Sequence, residues 1–135
     1  MMKNLKEHIE SQLESEPILE MSQVGQFGKY SVYVYSNDHG NIPHFHVKDT
    51  ATNGSKFHTC IEIKQNKYFQ HGSKRDSFNN QEKKELDKFL HQKYPRNGEG
   101  NNWDFIANFW NECNPTNTIP FNLEQPNYSI LKDTK

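Results

Sequence analysis

Tyr30-Ser31-Val32-Tyr33-Val34-Tyr35 decides how this chain folds. β-Branched and aromatic residues fill it, Gly28 precedes it and Ser36-Asn37 follows, so it reads as a strand bounded by turns. Successive side chains on a strand point to opposite faces. Val32 and Val34 therefore share one face, and Tyr33 and Tyr35 share the other.

Working outward, the period becomes two at Val24, and Asn37 to Pro43 is a turn or loop punctuated by Gly40 and Pro43. His44 to Lys48 is a second strand. Asp49 to Ser55, with Asn53-Gly54, is a connection of hairpin type. Phe57 to Ile63 is a third strand, and Lys67 to Gln70 is read as a fourth. Neighbours this close in sequence favour an antiparallel meander. After Phe78 the period turns helical. Asn79 or Asn80 caps a helix running to about Gln92, with Leu86, Phe89 and Leu90 as its apolar stripe. Tyr94-Pro95 ends it. A second helix is expected from Trp103 to Cys113, burying Phe105, Ile106, Phe109 and Trp110, and Asn114-Pro115 stops it.

Towards the N-terminus, Leu5, Ile9 and Leu13 fall four apart and predict an amphipathic helix that Pro17 breaks. The expected fold is α+β: an antiparallel sheet of three or four strands, packed by two C-terminal helices, with an N-terminal amphipathic helix. The expected organisation is a leader over residues 1–20, one domain over 22–115 and an extended tail over 116–135.

Aliphatic residues are sparse, but nine Phe, six Tyr and two Trp are present, so aromatics must build the core. A net charge of −1 gives no global field to attract nucleic acid or an anionic membrane. Cys60 and Cys113 share no CxxC spacing, and no apolar run approaches the roughly 20 residues of a membrane span. Reduced thiols and a cytoplasmic location are the expectation, with no membrane partner.

The chemistry concentrates in Asp38-His39-Gly40-Asn41-Ile42-Pro43-His44-Phe45-His46-Val47. On a strand His44 and His46 project together, with side-chain origins roughly 6.5–7 Å apart. Two imidazoles at that separation can converge on one divalent transition metal, zinc being the best match to nitrogen donors. Asp38 and His39 in the preceding loop can complete the set. If Ile61 and Ile63 face the core beside Phe45 and Val47, then His58, Cys60 and Glu62 join the histidine face. A slip of one residue would send them to the other side.

Other readings stay open. The His-x-His pair can instead order a loop, or line the recognition surface of a non-catalytic interaction module. Cys60 beside His58 or His46 has the makings of an activated nucleophile, although a cysteine in mid-strand is more often packed. Tyr33, Tyr35 and Phe69 have the form of a stacking platform for single-stranded nucleic acid. Phosphate loop, GxSxG and CxxC motifs are absent from the sequence, and His8, His71 and His91 look incidental.

The run Asp38-His39-x-x-x-Pro43-His44-Phe45-His46-Val47 resembles the signature of a family of small bacterial and phage domains of unknown function, roughly acidic-His-x-Pro-Pro-His-Phe-His-Val. Ile42 stands where that signature has its first proline, and the turn here is one residue longer. The helix holding Trp103 and Trp110, ending Trp-Asn-x-x-Asn-Pro, is similar to the family's C-terminal part. The resemblance spans about residues 24–115. It implies a toxin–antitoxin-like or mobile-element setting and a small cognate protein partner.

Overall fold

The computed structural model describes residues 21–35, 42–49, 57–69, 76–94 and 100–132. Four strands, β1 (Met21–Phe27), β2 (Tyr30–Tyr35), β3 (His44–Asp49) and β4 (His58–Glu62), form one antiparallel sheet in the order β1-β2-β3-β4. This is the expected meander. Gly28 (φ +57°) occupies the first position of the two-residue turn between β1 and β2. That is the place where a II′ hairpin demands a positive φ.

Two helices follow, α1 (Asn80–His91) and α2 (Asn102–Cys113). Each starts in a capping box. Asn79 accepts from the Glu82 backbone N–H while the Glu82 carboxylate accepts from that of Asn79; Asn101 and Asp104 repeat the arrangement. Such caps satisfy the orphan amides of the first turn, each contributing about 1 kcal/mol. The sheet and helices together make the α+β architecture read from the sequence. The N-terminal helix, by contrast, falls outside the described residues.

One face of the sheet is mostly apolar, with Ser22 and Thr59 its buried polar members. Val32, Val34, Phe45, Val47, Ile61 and Ile63 are fully buried in one cluster with Leu86, Leu90, Ile106 and Trp110 from the helices. Each such side chain stabilises the fold by roughly 1.5–3 kcal/mol. α1 packs against β1, and α2 packs against β1 and β2.

Two details differ from the sequence reading. The fourth strand is β1, whereas Lys67 and Tyr68 make only isolated bridges, to Lys132 and Ile61. The polar run from Lys64 to Lys67 turns the chain back on itself, with the Glu62 N–H donating to the Lys67 carbonyl at 2.9 Å. On α2 the buried stripe is Trp103, Ile106, Ala107 and Trp110, at steps of three and four, which leaves Phe105 and Phe109 half-buried at its margin. Phe105 stacks on Tyr94 instead, at 4.0 Å between centroids.

Beyond α2 the chain is mostly irregular, but it buries Ile119, Tyr128 and Leu131 in the core. A short 3-10 turn, Tyr128–Ile130, sets the Tyr128 hydroxyl 2.8 and 2.9 Å from the carbonyls of Glu62 and Ile63. The Trp103 indole donates to the same Ile63 carbonyl at 3.0 Å. The end of β4 is thereby pinned from two sides, which holds the neighbouring functional side chains in place.

Candidate metal centre

The second face of the sheet is polar and, at its centre, just as buried. Its geometry follows from the register: His44 pairs with Glu62, His46 with Cys60 and Lys48 with His58 across β3 and β4, and Tyr33 pairs with His46 across β2 and β3. Phe45 pairs with Ile61 and Val47 with Thr59 on the apolar side. The conditional register of the sequence reading is the one adopted. Three imidazoles, a thiol, a carboxyl and two tyrosines share one surface.

His44 and Cys60 are fully buried, and His46 and Glu62 nearly so. His44 Nδ1 lies 2.8 Å from the Ile42 carbonyl. A carbonyl only accepts, so Nδ1 carries the hydrogen and Nε2 holds the lone pair in the neutral ring. An outer hydrogen bond of this kind fixes the tautomer and orientation of metal-binding histidines. Phe69 packs on the His44 ring at 4.3 Å and Trp110 of α2 at 5.7 Å.

His46 is the hub. Its Nδ1 sits 3.4 Å from Cys60 Sγ and 3.0 Å from His58 Nε2, and the Tyr35 ring backs it at 4.5 Å. His44, His46 and Cys60 each present a ligand atom, and these atoms all lie within 4.8 Å of one another. Around a tetrahedral zinc, ligand atoms sit about 3.3–3.6 Å apart, given bonds near 2.0–2.1 Å to nitrogen and 2.3 Å to sulfur. The His46–Cys60 separation already has that value. The widest pair needs to close by roughly an ångström.

His58 is half-buried beside His46, its backbone N–H held by the Asp76 carboxylate at 2.8 Å. Glu62 faces His44 and accepts from the Gln65 amide at 3.2 Å. Burial raises the Glu62 carboxyl above the usual carboxylate range, against the opposing pull of Lys67, the Gln65 amide, Lys64 and His44. Asp38 and His39, the loop candidates, lie outside the described residues.

Lys48 and Trp110 escape the sequence reading as site members, and Phe69 enters it only as part of a stacking platform. Lys48 continues the His44, His46 alternation, so its placement was available from period two alone. Phe69 is brought to His44 by tertiary packing, as is Trp110, and local pattern carries no signal for either contact.

Among the described residues, no helix is long and apolar enough to cross a membrane. No protein-family model, curated protein or solved structure matches the chain.

Proposed function

We propose that this chain is a metal-binding domain whose centre is built by His44, His46 and Cys60. The convergence of their three buried ligand atoms carries the reading. Two imidazole nitrogens and a thiolate form a borderline-soft donor set suited to zinc and other late first-row ions. Three protein ligands leave a fourth position for water or a further side chain, the pattern of sites that do chemistry. His58 stands next to His46.

Protein purified without an affinity tag and analysed for bound metal is expected to carry one zinc per chain. Cobalt substitution is expected to give a thiolate charge-transfer band in the near ultraviolet that Cys60→Ser removes. Absence of metal, or a content unchanged in Cys60→Ser and His46→Ala, refutes the assignment.

The setting we propose is that of the bacterial and phage domains the chain resembles, on the strength of Pro43-His44-Phe45-His46-Val47 and the Trp103 and Trp110 helix. Coexpression with the product of the adjacent reading frame tests it: a stable complex is expected, and its absence counts against that setting while leaving the metal centre untouched.

A further inference from the structure

The polar face grades from buried to half-exposed along β3, from His44 through His46 to Lys48. Tyr33, Tyr35 and His58 flank the half-exposed end. The Lys48 end is thus the less buried side of the centre. There the ammonium is already held in place: Lys48 Nζ donates to the Tyr35 hydroxyl at 2.9 Å and lies 5.1 and 5.6 Å from the Tyr33 and Tyr35 ring centroids. Among the described residues no carboxylate pairs with it; Asp49, the nearest acid in sequence, pairs with Lys29 at 3.6 Å.

From these observations we infer that Lys48 and the metal centre together form an oxyanion subsite, and that the ligand carries a phosphate group. The inference rests on the metal reading. A divalent ion set against one thiolate keeps a positive charge, and Lys48, whose side chain starts about 6.5–7 Å from that of His46 on the same strand face, adds another. Two positive charges on one sheet face favour an anion between them. A phosphate has oxygens to place on both, one at the fourth metal position and one on the ammonium, for which lysine serves as a point-charge partner. Tyr35 links the two halves, since its ring backs His46 and its hydroxyl holds Lys48.

The test uses cobalt-loaded full chain, whose visible spectrum reports changes at the metal, titrated with inorganic phosphate and, separately, with acetate. Phosphate is expected to shift the spectrum saturably and acetate to act far more weakly. Lys48→Gln should keep one metal per chain and weaken phosphate about tenfold, the loss typical of a hydrogen bond to a charged group; Lys48→Arg should restore most of it. Metal bound but no response to phosphate overturns the inference alone. So does equal binding by wild type and Lys48→Gln, or acetate binding as well as phosphate. Failure to bind metal overturns the metal reading and this inference with it.

Discussion

Zinc should stabilise this protein, and His46→Ala should abolish the effect. His46 Nδ1 is the atom closest to two other candidate ligands, 3.4 Å from Cys60 Sγ and 3.0 Å from His58 Nε2. Its loss therefore dismantles the centre rather than trimming it. A ligand that binds only the folded state stabilises by RT ln(1 + [L]/Kd), about 4 kcal/mol when free zinc is a thousandfold above Kd. For a domain of this size each kcal/mol moves the midpoint by roughly 3–5 °C, so the wild type should gain about 12–20 °C. Affinity of the unfolded thiols and imidazoles for zinc would reduce that figure. His46→Ala should melt at the same temperature with zinc or with chelator. Its metal-free form should be about 1–3 kcal/mol less stable than wild type, from lost contacts such as that with Tyr35. His91→Ala, on an exposed turn of α1, should keep the full zinc response. Circular-dichroism melts of the three proteins, with zinc and with chelator, decide the matter. Coincident wild-type curves refute the reasoning, as does a zinc shift in His46→Ala equal to that of wild type.

Burial raises the phenols of Tyr30 and Tyr128 well above their ordinary range, helped in Tyr30 by its hydrogen bond to Glu82. Above about pH 10 the unfolded chain releases these protons while the native state keeps them, so stability must fall as pH rises, by up to about 1.4 kcal/mol per pH unit for each tyrosine. Tyr30→Phe should make the alkaline decline shallower in urea titrations, while costing about 1–2 kcal/mol at neutral pH through the lost bond to Glu82. The Thr59 hydroxyl is buried and meets no hydrogen-bond partner among the described residues, so Thr59→Val should raise the urea midpoint by the equivalent of about 1 kcal/mol. A Cβ at Gly25 would fall 2.9 Å from ring carbons of Phe89, so Gly25→Ala should destabilise by about 1–3 kcal/mol in the same assay.

Much of the centre was legible because strand periodicity is simple. Val32 and Val34 against Tyr33 and Tyr35 orient β2, and Phe45 and Val47 against His44 and His46 orient β3. Burying Ile61 and Ile63 beside Phe45 and Val47 then sets Cys60 opposite His46, since a register slip would expose the isoleucines. β1 was harder to see. Ser22, Gln23 and Gln26 dilute its apolar pattern, and the register shift between Gln23 and Gly25 changes the phase of the alternation midway. The orientation of His44 was not legible at all, because it depends on the Ile42 carbonyl and on Phe69 and Trp110 packing from elsewhere.

The two faces of β3 argue for chemistry over packing. Phe45 and Val47 are fully buried on one side, and His44 and His46 are almost equally buried on the other. Hydrophobic burial accounts for the first pair. For the second it predicts the opposite, since each polar ring taken from water costs free energy that its hydrogen bonds only partly return. Opposite the same pair, β4 places a carboxyl as well as a thiol, so the cost recurs at Glu62, three neighbouring positions in all. A sheet stabilised by packing alone would be served better there by valine and isoleucine, as on its other face. Departures from local consistency of this kind belong at functional sites. A bound metal would reverse the sign of the argument: Cys60 would serve it as a thiolate ligand and His44 through Nε2, the nitrogen turned away from the Ile42 carbonyl, and this buried polar surface would become a source of stability.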